Sequence, residues 1–180
     1  MLGPIVRLLA AARITANQLT LAGLALAIVA GGLAAMGELV ASAVVLLLSG
    51  LLDALDGELA RQSGTSSSFG AFLDSIADHY GDFAVYFGIA WVTLQAGDRL
   101  TVLFVLAAMF GSVVGSHIRS RAGMMALDTK DVGFFTRAER IAVLVLGLAS
   151  GFLTLAAAIL AVAHNLSALQ RLVYITRRAR

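Results

Sequence analysis

The segment from Leu39 to Gln62 reads LVASAVVLLLSGLLDALDGELARQ and places two aspartates inside a long apolar run. A helix of about 20 mainly apolar residues is long enough to cross a bilayer. A charged residue near the middle of such a helix costs roughly 2.5 to 3.5 kcal/mol on insertion scales. The segment therefore predicts a membrane-spanning helix whose aspartates, Asp53 and Asp56, serve a function.

The rest of the chain has a similar composition. Of its 180 residues, 59% are hydrophobic and 13% are charged, whereas soluble domains carry roughly 25% charged residues. The chain contains no cysteine, which excludes disulfides, catalytic thiolates and Cys-ligated zinc. We therefore predict an integral membrane protein in contact with lipids, without a separate soluble domain, and expect no nucleic acid among its partners.

Six apolar stretches predict six transmembrane helices. They cover residues 15–36, 39–62, 69–95, 100–124, 134–151 and 152–176. A short helix over residues 4–12 precedes them, with Ile5, Leu8 and Leu9 at helical spacing, and is typical of a helix lying on the membrane surface. The alternative is a simple lead-in to the first span. The predicted fold is an all-α integral membrane protein in which residues 1–180 form a single transmembrane domain.

The basic residues indicate how these helices are oriented. Positive charge accumulates in cytoplasmic loops. On a six-span path, Arg99 alone among the thirteen basic residues falls on the opposite side from the others. We therefore expect both termini, and the helix ends nearest the aspartates, to face the cytoplasm.

Four aspartates lie in the second and third predicted spans. Asp53 and Asp56 are three residues apart, and Asp74 and Asp78 are four apart, so each pair shares one helical face. Two facing helices can bring all four carboxylates together, and their like charges then need compensation. Carboxylate oxygens suit Mg²⁺ or Mn²⁺, and two such ions about 3.5 to 4 Å apart stabilise displacement at phosphorus. The pattern thus points to phosphoryl chemistry.

A proton or ion translocator is the alternative of a different class, because carboxylates in membrane spans also form relays and ion sites. The chain shows no internal repeat, which weakens that hypothesis. The residues around the aspartates favour a ligand site instead. Gly57 and Ala60 leave room beside the first pair, and Gly70 leaves room beside the second. Arg61 can hold a diphosphate.

These residues form one continuous pattern: Asp53-x-x-Asp56-Gly57-x-x-Ala60-Arg61, eight residues, then Gly70-x-x-x-Asp74-x-x-x-Asp78. It resembles the motif of the CDP-alcohol phosphotransferase family at all eight fixed positions and at every spacing. The resemblance implies a membrane transferase of phospholipid biosynthesis. Such an enzyme moves a phosphatidyl or archaetidyl group from a CDP-lipid, such as CDP-diacylglycerol, to an alcohol and releases CMP. A homodimer in a prokaryotic cytoplasmic membrane, with the active site facing the cytoplasm, is implied as well.

The resemblance also implies a role for each motif residue. Two divalent ions, Mg²⁺ or Mn²⁺, would be held by Asp53, Asp56, Asp74 and Asp78. The general base would be Asp78. The CDP group would be contacted by Gly57, Ala60, Arg61 and Gly70.

A basic cluster near the later spans bears on the identity of the alcohol. It consists of Arg119, Arg121, Lys130, Arg137, Arg140 and Arg171, which can bind an acceptor that already carries phosphate. The alternative is that these side chains only follow the positive-inside rule and meet anionic lipids. Residues 118–122, 133–140 and 170–172 resemble the branch that makes phosphatidylinositol phosphate from inositol phosphate. In that branch, residues matching Arg119, Arg140 and Arg171 hold the acceptor phosphate. In this sequence, Arg137 shares a helical face with Arg140.

Two positions depart from that branch. Ala138 stands where proline is usual, and His79 follows the last aspartate where arginine is common. The resemblance still implies inositol phosphate as the preferred acceptor. Glycerol 3-phosphate, the acceptor of a phosphatidylglycerophosphate synthase, stays open as the alternative.

Overall fold

The computed structural model describes residues 3–127 and 132–178, so Lys130 and Arg180 lie outside the described residues. Those residues form seven α-helices and no strand. The helices are α1 (Gly3–Ala11), α2 (Ala16–Ala35), α3 (Leu39–Gln62), α4 (Ser68–Gln95), α5 (Arg99–Met124), α6 (Arg137–Ser150) and α7 (Leu153–Arg178). The prediction of an all-α chain is confirmed.

The helix boundaries agree closely with the predicted stretches, except at the start of α6. This helix begins at Arg137, three residues later than predicted, because the backbone N–H of Thr136 donates to the Glu139 carboxylate at 2.5 Å and caps the first turn. It ends at Ser150 and is capped by the next residue, Gly151, whose φ of 76° lies in the left-handed region that favours glycine. The turn between α6 and α7 is thereby fixed.

Four helices in the described part of the chain are long and apolar enough to cross a membrane, namely α2, α3, α5 and α7. This supports the prediction of a membrane protein. Helix α4 carries Asp74, Asp78 and Asp82, which lower its apolar character. Helix α6 has 14 residues and is about 21 Å long, against a hydrocarbon core of about 30 Å. By length and composition, four of the six predicted spans are therefore supported.

The chain divides into two compact units, one ending at Gly88 and the other beginning at Ile89. In the first unit, α2 and α3 run antiparallel and are joined by serine hydroxyls. Ser42 Oγ donates to the carbonyl of Ala30 at 2.7 Å, and Ser49 Oγ donates to the carbonyl of Gly23 at 2.8 Å. Short side chains of this kind bring the two helix backbones close together.

Helix α4 approaches α2 even more closely, through glycine on both sides of the contact. A Cβ added at Gly31 would overlap the backbone carbonyl of Ala84, and one added at Gly88 would overlap the carbonyl of Gly31. A Cβ at Gly81 would lie 3.0 Å from the Cβ of Ala27. The aspartate-bearing part of α4 is therefore held at a separation from α2 that only glycine permits.

The predicted N-terminal helix is present as α1, and it packs on α3. Val6 is buried and forms a small core with Leu19 and Leu59. On the other side of α1, 71% of Leu8 is exposed. One apolar face thus anchors the helix to the first unit, and a second apolar face is left on the surface.

In the second unit, α5 and α7 run in the same direction. His164 Nδ1 donates to the carbonyl of Ala108 at 3.0 Å, and Asn165 Nδ2 donates to the carbonyl of Ala107 at 2.9 Å. The beginnings of the two helices are joined by Asp98, which accepts from the hydroxyls of Thr101 and Thr154. The Thr101 hydroxyl and backbone N–H hold the pKa of the Asp98 carboxyl below its ordinary value, with a smaller contribution from the Thr154 hydroxyl.

We predict that Gly31→Ala destabilises the protein, because its new Cβ meets the Ala84 backbone, which cannot swing aside as a side chain can. Overpacking of this kind costs roughly 1 to 3 kcal/mol. Thermal unfolding in detergent measures the loss. Gly32→Ala is the matched control, since a Cβ there meets no atom of the described residues within 4 Å. Equal melting temperatures for the two variants would contradict the close packing of α2 and α4.

Candidate active site

Helices α3 and α4 bring three of the four predicted metal-binding aspartates together. One carboxylate oxygen from each of Asp53, Asp56 and Asp74 lies within 4.8 Å of the others. Asp56 is buried, and Asp53 and Asp74 are half-buried. An oxygen-only set at this spacing suits a hard divalent cation such as Mg²⁺ or Mn²⁺. We call these three residues the carboxylate cluster.

Asp78, the fourth predicted ligand, lies one turn after Asp74 on α4 and is half-buried. Among the described residues, the carboxylate cluster does not include it. Its predicted roles as metal ligand and general base therefore stay predictions.

A threonine on α2 orients the most buried member of the cluster. Thr20 Oγ1 donates to Asp56 Oδ2 at 2.6 Å, and both side chains are buried. A short hydrogen bond to an ionised carboxylate is strong, and hydrogen bonds of this kind fix the orientation of metal ligands. Sequence reasoning missed Thr20. The available signal was a polar residue at a buried position near the start of an apolar span.

A cavity of about 230 Å³ lies beside the cluster and is lined entirely by the first unit. All four residues predicted to contact the CDP group line it, namely Gly57, Ala60, Arg61 and Gly70, together with Asp56 and Asp74. The sequence did not predict its other lining residues, which are Ala16, Asn17, Thr20, Thr65, Ser66, Ser67 and Ala71.

Glycine keeps this cavity open on the α4 side. A Cβ at Gly70 would lie 3.3 Å from Ser67 Oγ and 3.4 Å from Asn17 Oδ1. It would therefore crowd two polar groups that line the cavity. An alanine at this position would reduce the space for a ligand.

Arg61 stands at the edge of the cavity with its guanidinium exposed. Its Nη2 donates to Glu58 Oε2 at 2.8 Å, while its Nη1 lies 3.5 Å from where a Cβ on Gly57 would be. Exposed ion pairs of this kind are weak. The guanidinium can thus leave Glu58 and bind an anionic group that enters the cavity.

The predicted acceptor arginines lie in the second unit, where Arg171 is held by the main chain. Its Nε donates to the carbonyl of Val132 at 2.9 Å and its Nη1 to the carbonyl of Gly115 at 3.2 Å. Arg119 is close enough to Arg171 for their positive charges to repel. Arg140 and Arg171 both act electrostatically on His164. Three of the four predicted arginines thus share one neighbourhood, and Arg137 is the half-buried first residue of α6.

Comparisons with known proteins agree with this geometry. The sequence profile of the CDP-alcohol phosphatidyltransferase family matches residues 13–173. The archaetidylinositol phosphate synthase of Methanothermobacter thermautotrophicus is 32% identical over 169 residues, which cover 91% of this chain and 84% of the relative. The phosphatidylinositol phosphate synthase of Mycobacterium tuberculosis is 37% identical over 147 residues, which cover 80% of this chain and 67% of the relative.

Two crystal structures of the Mycobacterium tuberculosis phosphatidylinositol phosphate synthase superpose on the chain. The structure with CDP-DAG bound has a TM-score of 0.84 at 34% identity and covers 94% of this chain and 90% of that one. The structure in complex with manganese and citrate has a TM-score of 0.88 at 32% identity and covers 98% and 89% of the two chains. The similarity therefore extends over both units.

The chain belongs to the CDP-alcohol phosphatidyltransferase family. It is a membrane transferase that depends on a divalent metal, as the motif resemblance implied. Family membership favours this enzyme over the proton or ion translocator, which would use the same aspartates.

We predict that Thr20→Val weakens metal binding, because it removes the hydroxyl that orients Asp56 while keeping the size of the side chain. Loss of such a hydrogen bond lowers metal affinity by about 10-fold to 100-fold. Titration with Mn²⁺, followed by the electron paramagnetic resonance signal of the free ion, measures the change. Thr20→Ser keeps the hydroxyl and should bind nearly as the wild type does. Wild-type affinity in Thr20→Val would show that this hydrogen bond does not support the metal site.

Proposed function

We propose that this member of the CDP-alcohol phosphatidyltransferase family transfers the lipid-bearing phosphate of a CDP-lipid to inositol phosphate and releases CMP. One observation carries the proposal. A single cavity is lined by all four residues of the predicted CDP contact and lies against the carboxylate cluster. The names of the relatives, which include phosphatidylinositol and archaetidylinositol phosphate synthases, support the choice of acceptor.

Different residues of the cavity contact different parts of the CDP donor. Gly57, Ala60 and Gly70 present little side-chain volume, so the nucleotide can approach the helix backbones. Arg61 supplies positive charge for the diphosphate at the rim. The polar groups of Asn17 and Ser67 offer hydrogen bonds to the cytidine half. The lipid tails of the donor stay in the bilayer. Because the relatives include both a phosphatidylinositol and an archaetidylinositol phosphate synthase, the donor can carry either type of tail.

We infer that the carboxylate cluster and Asp78 together hold two divalent ions. The oxygen-only donor set at 4.8 Å fits Mg²⁺ or Mn²⁺. When bound, these ions supply positive charge against the carboxylates and the diphosphate. Asp56 is kept in orientation by Thr20.

Asp78 acts as the general base in this proposal. It takes the proton of the acceptor hydroxyl, whose oxygen then attacks the β-phosphorus that carries the lipid. The bond from the β-phosphorus to the bridging oxygen breaks, and the electron pair leaves with CMP, near the positive charge of Arg61. The proton on Asp78 passes to water. No covalent intermediate with the protein is required.

The phosphate of the acceptor is held by Arg119, Arg137, Arg140 and Arg171. Arg119 and Arg171 are near enough for their like charges to act on each other, and a phosphate dianion would offset both charges with bidentate hydrogen bonds. Phosphate recognition alone suits inositol phosphate and glycerol 3-phosphate equally. The departures at Ala138 and His79 therefore make glycerol 3-phosphate the competing acceptor to be tested.

The same proposal includes the arrangement in the membrane. We infer that α4 and α6 complete a six-span domain over residues 1–180, with both termini and the active site on the cytoplasmic side. The family profile, which covers residues 13–173 of both units, supports one continuous domain. The exposed apolar face of α1 suits the membrane surface. The expected homodimer and prokaryotic cytoplasmic membrane rest on the family resemblance.

The acceptor is decided by one assay. Purified protein is incubated with CDP-diacylglycerol or, in a parallel arm, CDP-archaeol, with Mg²⁺ and labelled inositol phosphate or labelled glycerol 3-phosphate. We expect label from inositol phosphate to enter the lipid fraction with one CMP released per labelled lipid. Label entering lipid from glycerol 3-phosphate alone would overturn the proposed acceptor.

Asp78→Asn in the same assay tests the base. The variant keeps the shape of the side chain but cannot take the proton, so CMP release should fall by at least about 100-fold. An unchanged melting temperature in detergent shows that the variant is folded. Retained turnover would refute the role of Asp78.

A further inference from the structure

The guanidinium of Arg171 is fixed by main-chain carbonyls from two other segments. It donates to Gly115 on α5 at 3.2 Å and to Val132, which precedes α6, at 2.9 Å. A guanidinium has five N–H groups, and the three that make no hydrogen bond to the described residues can bind a ligand. A cation on a flexible side chain is thereby held in a defined place before any anion binds.

Both segments approach the guanidinium through a glycine. A Cβ on Gly115 would lie 3.2 Å from Arg171 Nη1, and a Cβ on Gly133 would lie 3.3 Å from Nη2 and 3.4 Å from Nε. Gly133 has a φ of 110°, which other residues rarely adopt. Side chains at these two positions would push the guanidinium away from the carbonyls that hold it.

We propose that Gly115 and Gly133 are positioning residues for the acceptor phosphate, because they let α5 and the segment before α6 close on the Arg171 guanidinium. This inference rests on the proposed function, in which Arg171 holds that phosphate. The two glycines do not touch the acceptor. They act through Arg171, whose remaining N–H groups bind the phosphate oxygens.

The three segments joined by Arg171 also carry the other proposed phosphate ligands. Arg119 follows Gly115 by one helical turn on α5, and Arg137 and Arg140 follow Gly133 in the chain. The two carbonyl dipoles offset part of the repulsion between Arg119 and Arg171 while no anion is bound.

Such a preorganised site predicts a specific kinetic effect. Ordering a flexible cation during binding costs free energy. Because the two carbonyls already order the Arg171 guanidinium, acceptor binding does not have to supply this free energy. Displacing the guanidinium by a few tenths of an ångström should weaken acceptor binding and leave CDP-lipid binding unchanged. A defect confined to the acceptor is what separates positioning from a general loss of structure.

Gly115→Ala is the test variant, because its Cβ meets the end of a flexible side chain and the fold can accommodate it. We expect the KM for inositol phosphate to rise about tenfold, with kcat and the KM for CDP-diacylglycerol changed by less than about twofold. Gly123→Ala on the same helix is the matched control, since no atom of residues 3–127 or 132–178 lies within 4 Å of a Cβ added there. An unchanged acceptor KM in Gly115→Ala, or equal increases in both KM values, would overturn the inference.

A double variant adds a result that a structural role alone would not produce. In an Arg171→Gln background, Gly115→Ala should cause no further rise in the acceptor KM, because the guanidinium through which it acts is gone. The same rise in both backgrounds would contradict the inference. If the wild type uses glycerol 3-phosphate instead, the proposed acceptor fails, and the same KM comparison with glycerol 3-phosphate still tests the two glycines.

Discussion

Electrostatic repulsion within the carboxylate cluster is the constraint on which the rest of the first unit depends. Two ionised carboxylates 4.8 Å apart repel by about 3.5 kcal/mol at an effective dielectric constant of 20. Asp53, Asp56 and Asp74 contribute three such pairs, and Asp56 is buried. The hydroxyl of Thr20 compensates one of the carboxylates. A divalent cation bound between them would compensate all three carboxylates, so this geometry agrees with the metal dependence of the family.

Close helix packing is what brings these charges together. The serine hydroxyls between α2 and α3, and the glycines between α2 and α4, hold α3 and α4 against the same helix. Larger side chains at the contacts would separate the backbones by more than the cluster tolerates. In the second unit, glycine has a related effect beside Arg171, where it exposes main-chain carbonyls to a cation. In both units, small residues bring the main chain close to charged groups.

The sequence predicted the features that repeat locally along the chain. Apolar runs gave the helices, and spacings of three and four residues placed each aspartate pair on one face. The predictions were less complete where two elements meet, since the rotation of one helix against another is not a local property. Thr20 and Asn17 were missed for that reason, as was the cavity wall formed by Ser66 and Ser67. The hydrogen bonds from Arg171 to main-chain carbonyls could not be predicted either, because every residue has a carbonyl and the amino-acid sequence does not show which one is used.

We propose that the carboxylate cluster binds a divalent metal ion next to the CDP group of the donor. Crystals grown with Mn²⁺ and CDP, measured near the manganese absorption edge, test it directly through anomalous scattering. We expect anomalous density within coordination distance of the carboxylates of Asp53, Asp56 and Asp74, with CDP in the cavity next to them. Cavity density for CDP without any anomalous peak at these carboxylates would contradict it.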